Sequence, residues 1–338
     1  MAHVLSSLSE LFIWPHAGCN QRCVSCDIWQ DTSRREIDAT DVKRWADQWA
    51  ALGVRKVVLV GGEPLMHRNL FGIAAPLRER GMKLELLSTG PLLSRYAEQV
   101  TTWFDAVLVS LDGPPTIHDE VRRVRHAFRL LEAGIAAVRK VNPDFTLFAR
   151  CTVHRYNYRH LPETVRTAQR LGIDRISFIP ADLTTEAFNR SGGWDEARQH
   201  DLAVPAAELP RLAAEIDRLS EECADSYASG LVEESPSHLR TYLYGHYRAF
   251  HGLAEHADRT CSRPWDSAVV EVDGTVRPCF FLEPYGNLHE AGDLHAVVNS
   301  PAAVHWRAEL DVATNEVCQR CPCFRSVRPR SSPGGDRP

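Results

Sequence analysis

Short, β-branched apolar runs alternate along the chain with longer stretches whose apolar positions recur every three to four residues. The short runs, at residues 11–15, 56–60, 83–87, 106–110, 146–153 and 175–179, predict strands. The longer stretches, at 39–52, 70–80, 93–103, 161–171 and 205–224, predict helices, and a further helical region around 117–141 reads as broken. Asp38 and Thr40 offer caps before the first helix, while Gly53, Gly81 and Gly172 stand where helices should stop. Strand and helix in strict alternation make six βα units, an α/β class with a parallel sheet.

The alternation ends near residue 225. Within 237–250, Leu239, Tyr242, Leu243, His246, Tyr247 and Phe250 recur at helical spacing, so one amphipathic helix is expected there, with its tyrosines in helix packing. Residues 269–272 and 275–277 flank Asp273-Gly274, a pair suited to a tight turn with positive φ, and predict a hairpin. The expected division is a barrel over 1–224, a helical bridge over 225–260 and a small cysteine-bearing module over 261–324. Residues 325–338, a basic run followed by Ser, Pro and Gly, read as a disordered tail.

Composition narrows the class. With 44% hydrophobic and 25% charged residues the chain is ordinary for a globular protein, and no apolar run approaches the ~20 residues a membrane span requires. A net charge of -5 with scattered Lys and Arg argues against a nucleic-acid surface. The first ten residues lack a basic segment followed by an apolar one, so no secretion signal is read and a cytoplasmic location is expected. In a reducing compartment ten cysteines point to metal binding or catalysis instead of disulfides.

Cys19-x3-Cys23-x2-Cys26 follows the first strand, where a βα loop would carry it to the face on which barrel enzymes do chemistry. Iron–sulfur clusters usually take four thiolates, so three close cysteines leave one iron open to a substrate; zinc or a structural cluster is the alternative. Gly61-Gly62-Glu63-Pro64 follows the second strand; its glycines allow close backbone approach and Glu63 offers an acceptor to an ammonium. Ser88-Thr89-Gly90 ends the third strand, Ser110-Leu111-Asp112-Gly113 the fourth, and Arg150 with Thr152 sits in the fifth.

This set resembles the radical S-adenosylmethionine (SAM) superfamily over residues 11–224. The resemblance implies a partial (β/α)6 TIM-like barrel and a [4Fe–4S] cluster whose open iron chelates SAM and cleaves it to a 5′-deoxyadenosyl radical. It also implies cosubstrate contacts at Gly61, Gly62, Glu63 and Pro64, at Ser88, Thr89, Ser110 and Asp112, at Arg150 for the methionine carboxylate, and at Ile179 beside adenine. Ser25 stands where many relatives carry an aromatic residue, with Trp29 as a substitute.

Cys261-x12-Gly274-x4-Cys279, followed by Cys318-x2-Cys321-x-Cys323, resembles the auxiliary-cluster module of one branch of that superfamily, in its short form called a twitch domain, a truncated SPASM module. It implies an auxiliary [4Fe–4S] cluster on Cys261, Cys279, Cys318 and Cys321, with Cys323 able to replace either of the last pair. A tetrahedral zinc site is the alternative.

A cluster with four thiolates relays electrons, which favours oxidation of a hydroxyl-bearing carbon; a thiol facing the substrate, Cys151 being the candidate, would instead donate hydrogen and give epimerisation. With the barrel starting near residue 11 the expected substrate is a small carbohydrate-like metabolite (aminocyclitol, sugar or nucleoside), contacted by Asp182, Glu186, Asn189 and Arg190, and the expected electron source is an external donor such as flavodoxin or ferredoxin. Peptide maturation is the second enzymatic reading, and a non-enzymatic metal-binding scaffold the third.

Overall fold

A computed structural model describes residues 4–257 and 260–323; the tail read over 325–338 lies outside the described residues. Six strands, β1 (Glu10–Ile13), β2 (Lys56–Leu59), β3 (Lys83–Ser88), β4 (Ala106–Ser110), β5 (Thr146–Val153) and β6 (Arg175–Pro180), pair in parallel with their neighbours. The helices α1 (Ala39–Ala51), α2 (Leu70–Glu79), α3 (Leu93–Trp103), α4 (Pro115–Arg122), α5 (Ala127–Val141) and α6 (Leu161–Arg170) cover the outer face. The expected break within 117–141 falls at Arg123 and His126, both with positive φ, which stop α4 and start α5.

Alternation along the strands decides which side each residue serves. In β3, Leu84, Leu86 and Ser88 are buried while Glu85 and Leu87 line the barrel interior. The outward set joins the large core with Trp45 and Trp49 of α1; a small separate cluster of Phe12, Val58, Val60 and Val269 lies inside the barrel. The interior is thus only partly filled.

Two departures reshape the expected layout. The first strand of the hairpin, β7 (Ser267–Val270), begins earlier than read, pairs with β8 (Thr275–Arg277), and also pairs in parallel with β1. The cysteine module therefore extends the barrel's own sheet, in the order β6-β5-β4-β3-β2-β1-β7-β8-β9, where β9 is Gly286–Asn287. At the opposite edge Ile176 of β6 bridges Val232. A short helix, α7 (Glu196–Leu202), escaped the sequence reading and is capped by Asp195; the helix read over 205–224 becomes a turn at Ala206–Glu208 and then α8 (Leu209–Glu222). Residues 236–250 run as one helical passage with a π-helical turn at Arg240–Tyr244. Among the described residues no helix is long and apolar enough to cross a membrane.

Candidate active site

The loop after β1 holds Cys19, Cys23 and Cys26 as part-exposed free thiols on the wall of one cavity of about 230 Å³. Its shape is imposed from outside. The Gly18 carbonyl accepts from Glu63 N (3.1 Å), and the carbonyls of Arg122 and Val121, at the end of α4, accept from Arg22 N (3.1 Å) and Val24 N (3.0 Å). A methyl group on Gly62 would meet Gly18 O at 2.0 Å, so the close approach that this glycine permits is to the cysteine loop itself. Trp29 donates its indole N–H to Cys26 O (2.8 Å), pinning the loop from its far end.

The donor chemistry fits a thiolate-bound cluster. Cys26 Sγ accepts from Ile28 N at 3.4 Å and Cys23 Sγ from the Arg122 guanidinium at 3.3 Å, contacts suited to anionic sulfur. Burial and then mutual repulsion push the Cys19 thiol up and Cys26 up to about 12; burial likewise raises Cys23, against the pull of Arg122. Arg122 Nε is buried without a partner among the described residues, leaving a donor at this wall.

Of the residues read as cosubstrate contacts, Gly61, Gly62, Ser88, Thr89, Ser110, Arg150 and Ile179 line the trio cavity, and Thr152 joins them. Glu63, Pro64 and Asp112 are buried outside it. Glu63 accepts from Thr89 N (2.7 Å), Thr89 Oγ1 (2.6 Å), Leu65 N (3.0 Å) and Ser88 Oγ, so its carboxylate organises the ends of β2 and β3. Burial still raises its pKa against those hydrogen bonds. Asp112 accepts from Thr152 N (3.1 Å) and pairs with Arg122 at 2.6 Å.

The readings of Cys151 as a hydrogen donor and of Asp182, Glu186, Asn189 and Arg190 as substrate contacts need correction. Cys151 is 1% exposed and sits on the outward face of β5, opposite Arg150 and Thr152, because successive strand residues point to opposite sides. Its sulfur meets Asn157 Nδ2 at 3.6 Å in the sheet–helix core, out of reach of a substrate. Asp182 reaches the cavity wall, but its carboxylate is occupied by Arg190 and Thr185 in a buried pair that folds the loop after β6. Glu186 is exposed and Asn189 donates to Asp27 O at 3.1 Å, so neither faces the cavity. Phe188 of this loop, held at positive φ, lines the cavity as well.

Cys261, Cys279, Cys318, Cys321 and Cys323 line a second, larger space of about 520 Å³ that fills the barrel interior. Burial pushes Cys279 up to about 12, with Cys318 and Cys261 adding to it. Cys321 Sγ accepts from Cys323 N at 3.3 Å, and Cys323 lines both spaces. Among the described residues no group of three or more His, Cys, Asp or Glu converges closely enough to hold a single metal ion. The segment read as a bridge brings Glu233, Glu234, Ser235 and His238 to the same interior. Glu234 accepts from Phe178 N (3.2 Å), extending the edge of β6, and burial pushes its carboxyl up to about 7, with Arg150 opposing the shift. Neither Arg122 nor Glu234 was found by sequence reasoning, since neither belongs to a spaced motif.

Family comparisons meet this geometry at both cysteine groups. Residues 15–168 match the Radical SAM superfamily model and residues 261–322 the SPASM model, an iron-sulfur cluster-binding domain. The chain belongs to the radical SAM superfamily, in its SPASM-bearing branch. The cofactors of these two domains are [4Fe–4S] clusters and SAM. An AdoMet-dependent heme synthase of Methanosarcina barkeri is 30% identical over 50% of this chain and 49% of its own length. A PqqA peptide cyclase of Ruegeria pomeroyi is 27% identical over 75% of this chain and 62% of its own. The chain thus spans about half to three-fifths of these relatives. In fold it is similar to anSMEcpe with bound AdoMet (TM-score 0.65, 17% identity, 93% of this chain and 83% of that one) and to Streptococcus suis SuiB bound to the precursor peptide SuiA (0.63, 17%, 95% and 72%).

Proposed function

We propose that this radical SAM enzyme oxidises a C–H group of a small polar, carbohydrate-like substrate held inside the barrel, removing two electrons. The observation that carries this reading is that the two spaces adjoin: Leu87, Leu108, Arg150, Ile179, Phe281 and Cys323 border both the trio cavity and the interior lined by the auxiliary cysteines. When bound, the clusters and SAM would supply reductive cleavage, driven by an electron from an external donor such as flavodoxin or ferredoxin, the 5′-deoxyadenosyl radical that takes the substrate's first electron with its hydrogen atom, and an acceptor for the second.

The chain's own residues orient the substrate and move its proton. Arg150, hydrogen-bonded to Ser177 at 3.3 Å, presents a cation between the two spaces. Glu234 accepts the hydroxyl proton as the carbon becomes a carbonyl. With its carboxyl near 7, it is protonated and inactive below that pH and competent above it. Product formation therefore rises as pH passes through about 7 in the wild type, and Glu234→Gln loses that limb along with most product. A space of about 520 Å³ is in the range of small-molecule sites. Because Cys151 lies outside the cavity, dehydrogenation is favoured over epimerisation through that thiol.

A peptide substrate is the second reading, favoured by the peptide cyclase that matches three-quarters of this chain. Anaerobic incubation with reductant, SAM and either substrate class separates the two by which one raises 5′-deoxyadenosine. A metabolite panel that never does so, against a peptide that does, removes the first reading. Iron near eight per chain is expected; zinc at the auxiliary site would leave about four.

A further inference from the structure

Among the described residues the cysteine loop receives one side-chain hydrogen bond to sulfur, from a residue 99 positions away. Helix α4 ends at Arg122 because Arg123 turns to positive φ, and the end of that helix is tied to the loop by the two backbone bonds to Arg22 and Val24. Arg122 is 8% exposed and Asp112 2%. From that position the guanidinium donates one N–H to Cys23 Sγ, pairs with Asp112 Oδ2 at 2.6 Å, and keeps Nε–H unpartnered among the described residues on the cavity wall.

We infer that Arg122 is a positioning residue that sets the reduction potential of the cluster held by Cys19, Cys23 and Cys26, with Asp112 as its electrostatic counterweight. Reduction adds a negative charge to the cluster. A buried cation and an N–H donor at a ligating sulfur stabilise the reduced form and raise the potential; a buried carboxylate at the same distance scale lowers it. Burial keeps salt from screening either effect. Aspartate also fixes the guanidinium fork, so the donor geometry at sulfur is maintained through two contacts.

The test is an EPR-monitored redox titration of the anaerobically reconstituted full chain, with iron content measured in parallel. Arg122→Gln should move the midpoint to more negative potential, about a tenfold lower ratio of reduced to oxidised cluster at fixed potential, or about 59 mV for one electron. Asp112→Asn should move it the other way, and Arg122→Lys should recover most of the wild-type value. Unchanged midpoints at full iron content, or shifts of the same sign in Arg122→Gln and Asp112→Asn, would overturn the assignment. So would loss of iron from all three variants, which would make the guanidinium a folding element of the loop. The inference relies on the family's cluster at the trio and not on the substrate: a wild-type protein without the signal defeats the former, whereas a normal wild-type signal with unmoved variants defeats only the role of Arg122.

Discussion

The two cysteine groups occupy neighbouring walls of one interior but are assembled in opposite ways. Cys19, Cys23 and Cys26 lie in a single loop after β1, and what is distant is their support: Gly62 after β2, and Arg122 at the end of α4. The auxiliary cysteines come from before β7, from after β8, and from within and just after the short helix Glu316–Arg320, and what they share is one platform, the sheet in which β7 pairs with β1. A local ligand set needs remote buttresses to hold its thiols apart against repulsion; a dispersed set needs one rigid sheet to bring them together.

The largest effects are expected at the trio. Alanine at Cys19, Cys23 or Cys26 should remove about four of about eight irons and abolish 5′-deoxyadenosine formation, measured by iron assay and chromatography. Retained cleavage would erase the functional distinction between the groups. Alanine at Cys261 or Cys279 should also lose about four irons yet preserve SAM cleavage, with product strongly reduced. Equal product would show that the dispersed group carries no electron.

The buttress is tested next. Gly62→Ala drives a methyl group into Gly18 O, and the resulting overpacking should cost about 1–3 kcal/mol, visible as a lower Tm and several-fold lower iron at the trio with the auxiliary site intact. Iron lost equally from both groups would mean that they are not independently supported. The smallest effect is expected at Cys151: Cys151→Ala should cost about 1 kcal/mol in thermal unfolding and leave product formation near wild type, as befits a core position. A collapse in product would return that thiol to the site.

Much of this protein can be read one residue at a time. The βα periodicity, the caps and stops of the helices, the two cysteine spacings and the Asp273-Gly274 turn all depend on neighbours within a few positions, and the strands and helices lie within a few residues of where periodicity puts them. Side-chain roles were less legible. The motif Gly61-Gly62-Glu63-Pro64 announces a special loop, yet only the contacts with Gly18, Ser88 and Thr89 reveal that Gly62 and Glu63 organise protein against protein.

Periodicity also left Cys151 on either face of its strand, because an alternating pattern fixes the spacing of side chains but not which side is inward; the packing of β5 between β4 and β6 chose the outward face. The pairing of β7 with β1, the approach of Arg122 to Cys23 and the arrival of Glu234 at the interior each join segments far apart in the chain. By itself, then, the order of residues determined the elements and the ligand chemistry, since propensity, turn geometry and thiol spacing are short-range. Tertiary structure alone decided which buried charges meet the thiols, because that depends on burial and on contacts across the folded barrel.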